Sequence, residues 1–250
     1  MSDDRPRPRL VLVHGTRMNA AQWEPYRALL PDVEVVTVDL PGHGARVGEE
    51  FTADAAVATL EEAVGGTAPG QVVALAGHSL GGYMAMLYAA RHPEALDMLV
   101  LLGATADPRG PLTGVYRGFA RLLPMVGAER MARVVNAVMR GLGARGQFAA
   151  ALPDGSAYAA LPAAWEVVMG GCGPALLEEV TCPVVMVNGG LDQMRLHGRR
   201  YAAAARDPHV VTIPRATHLM PSTHPRQVAD VLRRAVGLAE ARAAPPTMEG

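Results

Sequence analysis

A serine lies at the centre of GHSLGG, residues 77–82, where an apolar run gives way to small and helix-forming residues. The strand-like QVVALA (71–76) precedes it and a helix-like stretch follows it. On a sharp turn between a strand and a helix, a serine hydroxyl projects above the carboxyl end of the sheet. Gly77 and Gly81 are the neighbours without bulk that such a turn needs. The pattern predicts that Ser79 is a nucleophile; the alternative is a serine in an ordinary tight turn.

A serine nucleophile also needs a general base and an acid that orients the base, because its hydroxyl is weakly nucleophilic at neutral pH. For this type of turn the chain order is serine, acid, histidine. Asp192 follows the apolar CPVVMVN, and His218 follows HVVTI. Both would lie at the same edge of the sheet as Ser79, which predicts a catalytic triad. Asp107 is the competing acid and His224 is the competing base.

Acyl transfer requires two N–H donors for the oxyanion that forms on the attacked carbonyl group. The residue after the nucleophile, Leu80, is predicted to supply one of them. The loop after the first strand would supply the other, and in VHGTRMNAAQW the candidate is Thr16. This loop is also consistent with a glycine turn that leads into a helix, and both interpretations can hold together.

Three methionines, Met18, Met194 and Met220, each stand two residues beyond a predicted site residue. Their flexible, polarisable side chains would suit an adaptable apolar substrate pocket. The alternative is ordinary core packing in a chain with 13 methionines. Arg17, next to the predicted oxyanion donor, is the best candidate for a cation that faces the substrate.

Residues 106–150 carry seven arginines against two acidic residues. Arginines at the entrance would favour an anionic substrate, such as a carboxylated ester or a phosphate-bearing thioester. The alternative is a solvated surface. The seven residues are Arg109, Arg117, Arg121, Arg130, Arg133, Arg140 and Arg145.

The histidines that lie near glycines, other than the predicted base, are expected to be structural, and so are both cysteines. His14 and His43 belong to glycine turns, and His78 is predicted to pack within the serine turn. Cys172 and Cys182 lack CxxC spacing and nearby paired histidines, which favours two reduced, partly buried thiols over a metal site or a thiol pair. We expect no metal and no cofactor. The chain contains no lysine, which excludes a mechanism that uses a lysine amine.

Valine-rich apolar segments alternate with helix-like stretches along most of the chain. Short, continuously apolar runs are typical of strands buried on both faces. The alternation predicts an α/β fold with a doubly wound, mostly parallel sheet of about six strands. The predicted strands are 9–13, 34–38, 71–76, 98–102, 183–188 and 209–213, and the helix-like stretches are 19–30, 53–64, 79–92, 197–206 and 225–236.

The alternation fails between about residues 104 and 180, where a stretch rich in glycine, alanine, methionine and arginine predicts several short helices. We predict that residues 104–180 form a small helical cap inserted after the fourth strand. Residues 1–103 and 181–250 would then form the core.

Taken together, the motifs of this chain resemble those of the α/β-hydrolase superfamily. They span nearly the whole chain: VHG (13–15), DLPGHG (39–44), GHSLGG (77–82), NGGLDQ (188–193) and ATHLMPSTHP (216–225). The early first strand and the short cap resemble the branch that contains methylesterases and hydroxynitrile lyases. The lyases use an active-site lysine, which this chain lacks. Arg46 and Thr223 depart from the serine and glutamate that many relatives carry.

The resemblance implies a serine hydrolase that cleaves a carboxylic ester of a small, largely apolar molecule through an acyl-enzyme. A thioesterase, an acyltransferase or a carbon–carbon bond hydrolase with the same triad is the alternative within enzymes. A ligand-binding receptor on a hydrolase scaffold is the alternative of another class.

The formal net charge of the 250 residues is -1, which offers no overall attraction to nucleic acid or to an anionic membrane. A helix needs about 18 to 20 consecutive apolar residues to cross a bilayer, and no apolar run in this sequence approaches that length. The charged, proline-bearing N-terminus lacks the apolar core of a secretory signal, so we expect a cytoplasmic protein. The oligomeric state is not predicted.

Overall fold

Six strands form one parallel sheet in the computed structural model, which describes residues 6–109, 127–141 and 155–244. This confirms the predicted α/β fold. The strands are β1 (Arg9–Val13), β2 (Glu34–Val38), β3 (Val73–His78), β4 (Met98–Leu102), β5 (Val184–Gly189) and β6 (Pro208–Ile213).

β3 begins two residues later than predicted and runs up to the serine turn. Gln71 closes the preceding turn, because its side-chain Oε1 accepts from the Ala68 N–H and its own N–H donates to the Ala68 carbonyl, both at 3.0 Å. At the other end, Gly77 and His78 still pair with β4. The ladder therefore carries the chain without a break to Ser79.

The strand order β2-β1-β3-β4-β5-β6 places the first strand inside the sheet. The chain moves outwards from β1 to β2 and then returns to the other side of β1 to form β3. Such a reversal of strand order leaves a crevice at the carboxyl ends of the strands. In open parallel sheets this crevice is the usual ligand site. Here that crevice lies between the loops that follow β1 and β3.

The sheet is buried on both faces by helices. Alternate residues of β1 show this: Val11 and Val13 belong to one hydrophobic cluster, and Leu10 and Leu12 belong to another on the opposite face. Successive side chains of a strand point to opposite faces, so a strand covered on both sides must be apolar throughout.

Helices connect the strands as expected, and the largest differences in extent concern the first and the last helix. The predicted helix 19–30 begins as a 3-10 turn, and α1 starts only at Glu24 with a proline in its first turn. The last helix extends seven residues beyond the predicted 236, because Ala239 still buries against the sheet. The helices are α1 (Glu24–Leu29), α2 (Ala53–Val64), α3 (Leu80–Arg91), α4 (Ala128–Gly141), α5 (Leu161–Gly171), α6 (Gly198–Ala204), α7 (Met220–Thr223) and α8 (Pro225–Ala243).

The described residues between β4 and β5 include α4 and α5, so a helical insertion follows the fourth strand as expected. Ala164 and Val168 of α5 join the cluster that contains Tyr83 of α3. Tyr158 and Leu161 form a small separate cluster with Ala132 of α4. The division into a core and a cap at residues 104 and 180 stays a prediction. Within the described ranges, no helix is long and apolar enough to span a membrane.

Both cysteines are free and buried. Cys172 is 1% exposed and Cys182 is 7% exposed. Burial raises the pKa of each thiol to about 12, which suppresses the reactive thiolate at neutral pH.

Ellman's reagent at pH 8 is therefore expected to titrate no thiol in the native protein and two thiols in 6 M guanidinium. The absorbance of the released thiolate measures both values. Rapid titration of either cysteine without denaturant would contradict the burial seen in the structure.

Candidate active site

Ser79 occupies a strained backbone conformation on the turn between β3 and α3. Its φ is +54° and its ψ is -116°, a region that residues other than glycine rarely adopt. Such a conformation costs on the order of 1 to 3 kcal/mol and persists only where the surroundings impose it. Here the Ser79 N–H donates to the Leu102 carbonyl at 2.9 Å, and the Ser79 carbonyl accepts from Gly82 at 2.9 Å and from Tyr83 at 3.1 Å.

Two glycines allow the turn to pack this closely. A Cβ on Gly77 would overlap the carbonyl of Gly81. A Cβ on Gly81 would lie 2.6 Å from the carbonyl oxygens of Val13 and His14. The start of α3 therefore packs backbone to backbone against the end of β1 and the loop that follows it.

The structure brings Ser79, His218 and Asp192 together in one hydrogen-bonded chain. The His218 Nε2 lies 3.0 Å from the Ser79 Oγ, and the His218 Nδ1 lies 3.0 Å from the Asp192 Oδ2. An imidazole that donates its Nδ1–H to the carboxylate leaves Nε2 free to accept the serine proton. This is the arrangement that makes a serine hydroxyl a nucleophile.

Asp192 is held as an ionised acceptor. It is 2% exposed, and its Oδ1 accepts from the Met194 N–H at 2.9 Å. Burial alone would raise the pKa of this carboxyl, but the hydrogen bond and charge of His218 and the Met194 N–H outweigh burial. The pKa of Asp192 therefore lies below its ordinary value.

The competing acid and base have other partners. The Asp107 carboxylate accepts from the Arg200 guanidinium at 3.2 Å and from the Arg109 N–H at 3.0 Å. The His224 Nδ1 lies 2.8 Å from the Thr223 Oγ1. The geometry therefore favours Asp192 and His218.

The loop after β1 forms a tight turn beside Ser79. The Met18 N–H donates to the Gly15 carbonyl at 3.1 Å, and Arg17 has a φ of +65°. Within the part of the chain that the structure describes, the Thr16 N–H has no acceptor. Leu80 is the first residue of α3, so its N–H has no intrahelical acceptor either. Both residues line the cavity that contains Ser79.

A buried polar network connects this loop with the loop that carries His218. The Gln22 Oε1 accepts from the Gly15 N–H at 3.1 Å, and the Gln22 Nε2 lies 3.3 Å from the His78 Nδ1. The His78 Nε2 lies 2.8 Å from the His218 carbonyl oxygen. A neutral His78 with its proton on Nε2 satisfies both contacts, because it accepts from Gln22 and donates to His218.

His78 is therefore more than the packing residue predicted from the sequence. No spacing rule points to Gln22, since its partner lies 56 residues away. The one indication in the sequence is that Gln22 lies in the otherwise apolar AAQW. A buried side-chain amide requires hydrogen-bond partners.

The cavity above Ser79 has a volume of about 200 Å³. Arg17 and Met194, two of the residues predicted to bind substrate, line it, and their role in binding stays a prediction. Apolar residues of α5 form much of the remaining wall: Trp165, Val168 and Met169.

Two of the predicted pocket methionines lie elsewhere. Met220 is fully buried in the hydrophobic cluster that also contains residues of the sheet and α8, because α7 begins at this residue and packs against α8. Met18 is not among the described residues that line the cavity, since the turn at Arg17 reverses the chain before it. The alternative of core packing is therefore correct for Met220.

Four of the seven arginines between residues 106 and 150 lie in the described ranges, and all four are exposed and outside the cavity lining. They are Arg109, Arg130, Arg133 and Arg140. Arg117, Arg121 and Arg145 lie outside the described residues.

Residues 10–231 match the family model of the α/β hydrolase family. The chain belongs to this family. It is an α/β-hydrolase-fold enzyme, and its relatives include named esterases and hydrolases.

Known proteins that are similar to this hydrolase have different named activities. A pimeloyl-[acyl-carrier protein] methyl ester esterase of Xanthomonas campestris pv. campestris is 28% identical over 92% of this chain and 95% of its own length. A 2-succinyl-6-hydroxy-2,4-cyclohexadiene-1-carboxylate synthase of Enterobacter sp. (strain 638) is 36% identical, but the match spans 38% of this chain and only 37% of the synthase. The crystal structure of MenH from S. aureus matches with a TM-score of 0.79 at 16% identity, over 95% of this chain and 96% of that one, which shows the shared fold.

In this hydrolase two histidines next to the site are neutral. Burial, with a contribution from the nearby His43, lowers the pKa of His14 to about 4. Burial, with a contribution from His218, lowers the pKa of His78 to about 3. Protonation would place a charge in the interior and would convert the acceptor nitrogen of each ring into a donor.

The free energy of unfolding is expected to fall as the pH is lowered from about 6.5 to about 4. Histidines of the unfolded chain bind protons below about 6.5, whereas the folded protein keeps His14 and His78 neutral. The unfolded state then binds more protons, so each residue contributes up to about 1.4 kcal/mol per pH unit. Urea unfolding at a series of pH values measures the slope.

The variant His78→Gln is the control for this prediction. It removes one histidine that binds a proton in the unfolded state and not in the folded state. Its free energy of unfolding is therefore expected to depend on pH less steeply than that of the unsubstituted protein. Identical slopes for the two proteins would contradict the neutral state of the folded His78.

Proposed function

We propose that this α/β hydrolase is a serine hydrolase that cleaves a carboxylic ester of a small, largely apolar molecule through an acyl-enzyme. The observation that carries the proposal is the continuous contact from the Ser79 Oγ through His218 to the buried Asp192 carboxylate. It is supported by the apolar wall of the cavity above Ser79. No cofactor is required for this chemistry.

In acylation, the Ser79 Oγ forms a bond to the ester carbonyl carbon while the His218 Nε2 takes the hydroxyl proton. The Asp192 carboxylate stabilises the imidazolium through Nδ1. The N–H groups of Thr16 and Leu80 bind the oxyanion of the tetrahedral intermediate. The intermediate then collapses, the bond to the alcohol oxygen breaks, and the imidazolium gives that oxygen its proton.

In deacylation, a water molecule takes the place of the departed alcohol. His218 removes its proton as its oxygen attacks the acyl carbon, and the second tetrahedral intermediate expels the Ser79 oxygen, which recovers the proton from the imidazolium. The products are the carboxylic acid and the alcohol, and the enzyme returns to its starting state.

Similarity over nearly the full chain to a relative named as a methyl ester esterase favours ester hydrolysis. The partial similarity to a relative named as a synthase keeps other chemistry on the same triad as the second candidate. Turnover measured on matched oxoesters, thioesters and diketones separates hydrolysis of the three bond types. Repeated turnover of any of them would exclude a ligand-binding receptor.

A fluorophosphonate probe is expected to label Ser79 in a one-to-one ratio, because Ser79 is the serine that contacts a histidine within the described ranges. The variant Ser79→Ala is expected to lose both the labelling and at least about a thousandfold of the turnover number. Ser222→Ala, which removes a serine of α7, four residues after His218, is the matched control and should retain both. Peptide mass spectrometry locates the label; a label on any other residue would refute the proposal.

The variant Asp192→Asn is expected to lower the turnover number by about three to four orders of magnitude, because the amide no longer stabilises the imidazolium. Asp107→Asn, which breaks the contact with Arg200, should affect the turnover number by less than tenfold. Steady-state kinetics on one ester compares the two variants. The reverse order of effects would assign the acid to Asp107.

A further inference from the structure

Arg17 is a charged residue in the wall of the cavity, and it takes no part in the acyl-transfer steps. It follows Thr16 directly and lines the same cavity as Ser79. Its φ of +65° belongs to a region that favours glycine, and it is the third residue of the turn closed by Gly15 and Met18. A long side chain in this position costs on the order of 1 kcal/mol more than glycine, and strain of this kind concentrates at functional sites.

A buried tyrosine fixes the direction of the Arg17 side chain. The Arg17 Nη1 donates to the Tyr158 hydroxyl at 2.8 Å, and the guanidinium carbon lies 5.3 Å from the centre of the Tyr158 ring. Tyr158 is 0% exposed and packs against Leu161 and Ala132. Both contacts orient the guanidinium without neutralising its charge, because neither the hydroxyl nor the ring face is a carboxylate.

Within residues 6–109, 127–141 and 155–244, no carboxylate of the protein pairs with the Arg17 guanidinium. Asp107 is the acidic residue of the lining, and its carboxylate pairs with Arg200. The Asp192 carboxylate pairs with His218. A half-buried guanidinium has five N–H donors in a planar fork, and a bidentate carboxylate is the ligand that this fork matches best.

We propose that Arg17, held by Tyr158, binds a carboxylate of the substrate, so the preferred substrates are esters that carry a second, ionised carboxyl group. This inference rests on the proposed ester hydrolysis at Ser79. Half-esters of short dicarboxylic acids carry the charge on the acyl side, and esters of hydroxy acids carry it on the alcohol side. The carboxylate binds in place of bulk water, and the remainder of the substrate contacts the apolar wall formed by α5.

The test compares isosteric pairs that differ in the carboxylate. Monomethyl glutarate against methyl 5-methylhexanoate tests the acyl side, and carboxymethyl acetate against isobutyl acetate tests the alcohol side. A pH-stat measures the rate of hydrolysis of each ester. The readout is the ratio of the two kcat/KM values within each pair. The unsubstituted enzyme should prefer the charged ester of one pair, and Arg17→Met should reduce that preference about 10- to 100-fold, as expected for a lost charge-assisted hydrogen bond.

Arg215→Met is the matched control. Arg215 is also an arginine with left-handed backbone, at φ +60°, but it is exposed and lies outside the described lining of the cavity. This variant has the same change in charge and should keep the preference of the unsubstituted enzyme. Tyr158→Phe removes the hydroxyl and keeps the ring, and we expect an intermediate loss of preference.

Binding to a variant without the nucleophile separates the two proposals. Ser79→Ala should bind the charged ester of the preferred pair in calorimetry, and Ser79→Ala combined with Arg17→Met should bind it at least tenfold more weakly. Esters hydrolysed at Ser79 without a preference for charge would overturn the role of Arg17 and leave the proposed function intact. Binding that depends on Arg17 without hydrolysis of any ester would retain the carboxylate site and refute the proposed function.

Discussion

The close approach of two backbones at the carboxyl edge of the sheet is the constraint on which the site depends. The turn at Ser79 packs directly against the end of β1, with the Gly81 N–H donating to the His14 carbonyl at 3.1 Å. No side chain fits between them, which is why Gly77 and Gly81 are required. This contact holds the serine in its strained conformation and keeps the first residue of α3 beside the loop that contains Thr16.

The second level of organisation is a set of buried polar groups that connect loops far apart in sequence. His78 donates to the carbonyl of His218, 140 residues away, and accepts from Gln22, which also binds Gly15. In a low-dielectric interior such hydrogen bonds are strong when every group is satisfied and costly when one is lost. The network therefore couples the position of the base to the position of the predicted oxyanion loop, and the depressed histidine pKa values follow from the same burial.

The described part of the insertion also contributes to the cavity. Residues of α5 form its apolar wall, and Tyr158 reaches Arg17 across 141 residues of sequence. The sheet and its loops thus carry Ser79, Asp192 and His218, whereas the described residues of α5 form part of the cavity wall beside them. This separation agrees with a family in which one fold supports many substrates through changes in its loops and insertions.

The fold and a candidate set of three site residues could be predicted from sequence pattern, and the structure confirms the fold and brings the three residues into contact. Runs such as MLVLL and the ordered positions of Ser79, Asp192 and His218 depend on local pattern and on the fact that parallel strands end at one edge of the sheet. The direction of individual side chains depends on contacts between segments that are far apart in sequence, so it could not be predicted before the structure was known. Met220 lies in the core although it stands two residues from His218. Gln22 and Tyr158 reach the site from positions that no spacing rule connects to it, because hydrogen bonds across a folded interior form between neighbours in space.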